Sequence, residues 1–276
     1  MDHYKKSRFG FTLLEVVFVI VILGIVASIG AEVITQVFES YIVQRAQYRA
    51  NIKTELALNQ IGNRLRYAIE GTVGARDTLS AAYEQLEFVT NPNMKVLQWV
   101  GYDGDSFEAI ESNTSLSPGW SGFCDINASS TGTISTPGSN LDFANTIISK
   151  LKGTPSNARI YFAEDGNKSY AVNSMSGETI STNIPSGTLI PERYRLAWSS
   201  YALEVDPNGD LQLHHHFLPI AGTAITNDTT TLLLKNVTNF RFKYSGGAFR
   251  IKICKRERIS MDANVTVHAC KEKVIF

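Results

Sequence analysis

The sequence predicts an α+β fold in which a long N-terminal helix packs on an antiparallel β-sheet domain, with the first half of that helix able to cross a membrane. Three observations predict it: an apolar run near the N-terminus, no proline before Pro92, and repeated turn signals between short apolar stretches further on. The chain has 276 residues, 43% hydrophobic and 19% charged, which is enough for one long helix and one globular domain.

The apolar run extends from Phe11 to Ile29 and contains one charged residue, Glu15. At about 1.5 Å per residue, a helix of this length matches the thickness of one bilayer core. Basic residues precede the run, so the N-terminus should stay in the cytoplasm and the rest should cross. We therefore expect a short basic cytoplasmic segment at residues 1–10, which the resemblance described below makes a leader, and a transmembrane helix at residues 11–31. The basic residues are Lys5, Lys6 and Arg8.

Residues 32–72 are predicted to extend the same helix as an amphipathic segment that packs one face on the domain. Apolar residues continue there at helical spacing, and Gly71 and Gly74 are the first stop signals. The helix should therefore end near Glu70. The predicted apolar positions are Ile34, Phe38, Tyr41, Ile42, Ile52, Leu56, Ile61, Leu65, Ala68 and Ile69.

Residues 73–276 are predicted to form the α+β domain. Short strands are expected at Gln85–Thr90 and Val96–Tyr102, a surface loop over 112–140, and a short helix at Leu141–Leu151. Turn residues between apolar stretches then predict three antiparallel hairpins and a last strand. The hairpins pair 159–163 with 169–172, 200–205 with 211–217, and 239–244 with 248–254; the last strand draws on 265–270 and 274–276.

Charge is unevenly distributed although the formal net charge is zero. Residues 77–165 carry 11 acidic and 4 basic side chains, whereas residues 235–276 carry 10 basic and 3 acidic ones. These regions can attract each other, or the basic end can meet an acidic partner.

The segment from Lys5 to Val17 reads KKSRFGFTLLEVV. It resembles the class III signal of type IV pilins and pseudopilins: a short basic leader ending in glycine, then phenylalanine, a glutamate, and an apolar helix. The resemblance implies cleavage after Gly10 by a prepilin peptidase and N-methylation of Phe11. A small residue at the cut lets a peptidase approach the backbone.

Glu15 is the residue for which the resemblance implies a role in assembly. A carboxylate near a lipid core is costly, and the free amine of Phe11 on a neighbouring subunit would neutralise it. The alternative is a signal anchor that tolerates Glu15 near its cytoplasmic end with help from the helix dipole.

The resemblance implies a minor pilin or minor pseudopilin of a type II secretion, type IV pilus or DNA-uptake system, acting by filament assembly or priming. Its expected partners are the prepilin peptidase, other pilin or pseudopilin subunits, the inner-membrane assembly platform and membrane lipid. We expect a single-pass inner-membrane protein with a cytoplasmic N-terminus and a periplasmic domain, later incorporated in a pilus or pseudopilus. The alternative is a signal-anchored periplasmic enzyme or ligand-binding protein, but no common catalytic motif is found, so no enzymatic activity is expected.

Three cysteines are present: Cys124, Cys254 and Cys270. In an exported domain Cys254 and Cys270 are the expected disulfide pair, and three unrelated thiols are the alternative.

Two weaker ligand patterns remain. Asp103, Asp105 and Glu108 offer oxygen ligands for calcium, and a solvated turn is the alternative. In the His-rich stretch, only His214 and His216 could share one face of a strand.

DNA is a further candidate partner. Aromatic residues interleave with basic ones near the C-terminus, which suits contact with DNA but equally suits a half-buried strand with outward charges. The aromatic residues are Phe240, Phe242, Tyr244 and Phe249.

Overall fold

The computed structural model describes residues 10, 12–110, 116–259 and 265–276. Along the chain the elements are α1 (Leu13–Leu65), β1 (Gly74–Arg76), β2 (Glu84–Gln85), β3 (Val96–Gly101), α2 (Gly104–Glu108), β4 (Thr133–Ser135), α3 (Leu141–Lys150), β5 (Arg159–Phe162), β6 (Tyr170–Ser176), β7 (Thr179–Thr182), β8 (Tyr194–Ala197), β9 (Ser199–Val205), β10 (Leu211–Phe217), β11 (Thr229–Leu234), β12 (Val237–Ser245), β13 (Ala248–Arg258) and β14 (Thr266–Ile275).

The described strands form three sheets, and every pairing between them is antiparallel. The orders are β11-β10-β9-β3-β1-β2, β4-β7-β6-β5-β8 and β12-β13-β14. The predicted α+β fold, a long N-terminal helix packed on antiparallel sheets, is therefore confirmed.

Two large cores hold the domain together. The first joins the second half of α1 to the six-stranded and three-stranded sheets, with Trp99 and Ile253 fully buried in it. The second lies under the five-stranded sheet and α3, around Ile160 and Leu196. The helix therefore belongs to the first core and has no residue in the second.

The predicted hairpins and the short helix are confirmed. β5 pairs with β6, β9 with β10 and β12 with β13, and α3 covers the predicted helical segment. The turn between β12 and β13 uses Gly246 and Gly247 at φ +61° and +77°, a backbone region that favours glycine. The two apolar stretches at the C-terminus form one continuous strand, β14, against β13.

Three details differ from expectation. The helix ends at Leu65 rather than near Glu70, because the next residues bond to β3: the backbone N of Ile69 donates to Val100 at 2.9 Å. The prediction of a strand at Gln85–Thr90 is wrong beyond Gln85, because β2 ends there. The segment 112–140 is not only surface loop, since Trp120 and Cys124 are buried in the second core.

Candidate processing and assembly segment

Gly10 lies at the start of the described chain and is exposed. A Cβ placed on it would meet no atom within 4 Å, so packing inside the protein does not require glycine there. Residues 1–9 of the expected leader and Phe11, the expected new N-terminus, lie outside the described residues. A need for a small residue at this position would therefore have to come from an external partner such as a peptidase.

Thr12 caps α1 and was not singled out by sequence reasoning. Its Oγ1 accepts a hydrogen bond from the backbone N of Glu15 at 3.4 Å, and its carbonyl accepts from the same N at 3.1 Å. The Thr-x-x-Glu spacing ahead of an apolar run is the sequence signal for such a cap. Glu15 is thereby held in the first helical turn, where the helix dipole favours a negative charge.

The first half of α1 is free of the domain. All described side chains from residue 12 to residue 41 are exposed, including Leu13 at 85% and Ile34 at 70%. Among the described residues, α1 is the one helix long and apolar enough to cross a membrane, with a mean hydropathy of 2.8 in its most apolar window. Large apolar side chains that the protein leaves uncovered are suited to lipid or to neighbouring helices.

The second half of α1 is docked through a face that combines small residues with Leu58, Ile61 and Leu65 of the first core. Ala46, Ala50 and Ala57 are each at most 1% exposed, and Gly62 lies among the buried positions of the same face. A Cβ on Gly62 would approach Cε of Lys273 in β14 at 3.1 Å. Small side chains let the helix axis approach β13 and β14 closely, at the expense of apolar area per residue.

Polar contacts between α1 and β14 flank this close contact. Nε2 of Gln47 donates to the carbonyl of His268 at 3.0 Å, and Nζ of Lys273 donates to Oδ1 of Asn59 at 2.8 Å. An ion pair at 3.7 Å joins Lys271 to Glu55. Because such exposed contacts each contribute little, they set the register of the helix on the sheet more than its stability.

A partly buried ionic cluster joins α1 to β13. Nζ of Lys255, 2% exposed, donates to Glu257 at 2.8 Å and to the carbonyl of Lys235 at 2.9 Å. Glu257 also lies 3.8 Å from Lys53 of α1. Burial alone would raise the pKa of Glu257, but the ammonium of Lys255 brings it below its ordinary value. The cluster thus keeps its charges paired beside the docked helix.

Cys254 and Cys270 form a disulfide bond in this structure, between directly opposed positions of β13 and β14 with Cα atoms 4.0 Å apart. The bond ties together the two strands on which α1 rests. Cys124 is a free, buried thiol, and burial raises its pKa to about 12, so it stays protonated at neutral pH.

Two of the three expected calcium ligands have partners inside the protein. Oδ1 of Asp103 accepts from the backbone N of Ser106 at 3.1 Å, and Oε1 of Glu108 accepts from the hydroxyl of Tyr67 at 2.5 Å. Burial raises the pKa of Asp103 to about 6. Asp105 is exposed in the first turn of α2. Within the described part of the chain, no group of three or more His, Cys, Asp or Glu side chains is arranged to hold a metal ion.

The His-rich stretch departs from simple strand alternation. His216 adopts φ +65° at a β-bulge between His215 and Phe217, which breaks the two-residue period. His214 hydrogen-bonds Oδ2 of Asp228 through Nδ1 at 2.6 Å, whereas the ring of His216 packs on Trp198 at 5.1 Å. The two histidines therefore have separate partners and do not form a pair.

Comparison with known proteins adds one match, which covers about a tenth of the chain. Residues 5–31 match the model of the prokaryotic N-terminal methylation motif. No curated protein and no solved structure matches the chain significantly. Such a signal implies processing by a prepilin peptidase and assembly with pilin subunits. The chain therefore carries the class III signal of the type IV pilin-like family ahead of an α+β pilin-like architecture, and is a pilin-like subunit of a type IV filament system.

Proposed function

We propose that the chain is a minor pilin or minor pseudopilin that is cut after Gly10, methylated at Phe11, and assembled into a filament or used to prime one. The observation that carries this proposal is the methylation motif at residues 5–31, placed on a helix whose side chains stay exposed through residue 41. A helix of this kind needs neighbours other than its own domain, and a filament supplies them.

We assign four segments to this function. Residues 1–10 are the cytoplasmic leader, 11–31 the transmembrane helix, 32–72 its amphipathic extension, which is helical to Leu65, and 73–276 the periplasmic domain. The docking of α1 from Ala46 onward supports the assignment of the amphipathic extension. Because α1 is one continuous helix, this docking also fixes its exposed first half to the domain. Extraction of the helix from the membrane would then move the domain with it.

Glu15 is assigned the assembly role. A carboxylate in the lipid core costs about 2.5–3.5 kcal/mol on insertion scales, and it gains a partner when the new amine of Phe11 on an adjacent subunit comes close. The cap by Thr12 supports this role, because it holds Glu15 in the first helical turn close to the level of the cut. This pairing of Glu15 with the Phe11 amine of the adjacent subunit would favour the addition of subunits one at a time.

The domain is assigned the selection of neighbours rather than chemistry. Pilin-like proteins are generally non-enzymatic structural subunits. Secretion, pilus and DNA-uptake systems all use such subunits with an inner-membrane assembly platform, and the role within one of them follows from which neighbours the domain accepts.

The test is replacement of Glu15 by Ala, with Glu32→Ala as matched control. Glu32 is an exposed glutamate of the same helix beyond the membrane segment. We expect Glu15→Ala to insert and to be cleaved normally, but to enter sheared filaments about tenfold less, in keeping with the loss of one charge pair in lipid. The control should enter at the wild-type level. Equal incorporation of both variants would refute the role of Glu15.

A further inference from the structure

The strand β12 has one open side. It is an edge strand of the three-stranded sheet, and within the described residues it pairs with β13 alone. The segment 86–92 borders a cavity together with β12, and no backbone hydrogen bond joins the two among the described residues. An edge strand presents a row of unpaired N–H and C=O groups, which is a template for another extended chain.

Two cavities are lined by residues of β12. One, of about 260 Å³, is lined by Lys95, Val205 and residues 237–241. The other, of about 530 Å³, is lined mainly by the segment 86–92 and by residues 241–244. Arg241 lines both, so they form one groove, here called the β12 groove. The backbone N of Val237 already donates to the carbonyl of Gly209 at 2.6 Å, so the open edge runs from 238 to 244, about 24 Å, the length of an extended peptide of seven residues.

The β12 groove combines apolar walls with a cationic rim. Leu86, Val89 and Phe242 supply apolar surface. The charged residues that line the larger cavity are four cations and two acids. One of the acids, Glu272, already lies 3.5 Å from Arg250. The rim therefore carries a net positive charge. The four cations are Arg241, Lys243, Arg250 and Lys252.

The register of the sheet places like charges opposite each other. Arg241 faces Lys252, and Lys243 faces Arg250, while on its other side Lys252 faces Glu272. Like charges at directly opposed positions destabilise a sheet. Among the described residues, no acid lies within ion-pair distance of Arg241, Lys243 or Lys252. Carboxylates of a bound partner would relieve this repulsion.

We propose that the β12 groove binds an extended, acidic peptide segment of another protein, which adds a strand to the three-stranded sheet at β12. Backbone hydrogen bonds to the open edge hold the segment, apolar side chains enter the groove, and carboxylates meet the rim cations. An open strand edge with apolar walls recognises a peptide backbone, whereas a nucleic acid would use only the charges. The site stands on the groove itself and holds or fails independently of the filament role.

The experiment measures binding of a fluorescein-labelled peptide of alternating Glu and Val to the full chain in detergent micelles. We expect saturable anisotropy changes and slowed amide exchange within residues 237–245. A peptide with Lys in place of Glu should not bind. Two further peptides carry N-methyl groups on alternate residues, so that each has its backbone N–H groups blocked along one edge only. The peptide whose blocked edge faces β12 should lose binding, and the other should keep it.

Matched charge reversals test the location. Arg241→Glu with Lys243→Glu should weaken binding about tenfold, whereas Arg256→Glu with Arg258→Glu, on exposed positions of the same sheet outside the groove, should change it less than about twofold. Absence of peptide binding, an equal loss in both double variants, or equal binding of both N-methylated forms would overturn the proposal. So would a single-stranded oligonucleotide that displaces the peptide and binds more tightly.

Discussion

The two halves of α1 are built from different residues for different surroundings. The first half presents large apolar side chains, and none of them is covered by the domain. The second half buries one face, which contains small residues, with Ala50 at 0% and Ala57 at 1% exposure, and, nearer the end of the helix, the larger Leu58, Ile61 and Leu65. Within one continuous helix, large apolar side chains are thus exposed where lipid and neighbouring subunits are expected, and they are buried only near the C-terminal end, where the helix joins the first core.

The contrast persists within the docked half. Ile52 and Leu56 are 39% and 55% exposed, although they fit the apolar period, while the adjacent alanines are buried. Alanine at these positions lets the helix approach β13 and β14 closely, whereas Ile61, nearer the end of the helix, is buried in the first core. The exposed Ile52 and Leu56 extend the free apolar surface of the first half toward the domain.

Of the substitutions considered, Ala57→Glu should lower the free energy of unfolding most, because it disrupts the docked half of α1. A buried carboxylate with no room for its side chain should lower the free energy of unfolding by roughly 4 kcal/mol. Leu56→Glu, one residue earlier on the exposed side, should change it by less than about 0.5 kcal/mol. Guanidinium unfolding of the full chain in micelles measures both.

Membrane insertion of both variants should be unchanged, because the first half of the helix is untouched. If Leu56→Glu destabilised the chain as much as Ala57→Glu, the docked face would not be the one described.

Removing the disulfide should weaken the sheet under the helix by a smaller amount. For a loop closed across a sequence separation of 16, the double replacement Cys254→Ala and Cys270→Ala should cost about 3 kcal/mol. That corresponds to a fall in Tm of about 6–12 °C for a chain of this size. The melting temperature of the full chain, read under non-reducing conditions, measures it.

Reductant supplies the control, since it should lower the Tm of the wild type toward that of the double variant and leave the variant's own Tm unchanged. A double variant that melts with the wild type would show that the bond does not stabilise the sheet.

Sequence reasoning reached the features that depend on local pattern. The membrane half of α1 follows from an apolar run, and the β12–β13 hairpin from Gly246 and Gly247 between apolar stretches. The cap at Thr12 was not predicted, although the spacing of Thr12 and Glu15 is a sequence signal for it. Each of these needs only neighbours in sequence.

Features that depend on distant partners were missed. The alanine face of α1 is set by how closely β14 approaches, which no helical period encodes. Gln85–Thr90 has strand-like residues, but the strand β2 ends at Gln85, and after the bond from the backbone N of Leu86 to the carbonyl of Val73 the chain turns away. Trp120 lies in a stretch rich in turn residues, yet it is buried because the second core closes over it, with Nε1 donating to the carbonyl of Asp103 at 2.9 Å.

Mass spectrometry of the intact protein purified from the envelope is the most direct test of the account, because every assigned role depends on where the mature chain begins. We expect a chain that starts at N-methylated Phe11 and retains the apolar half of α1. A chain that retains Met1, or one cut after the apolar run, would contradict it.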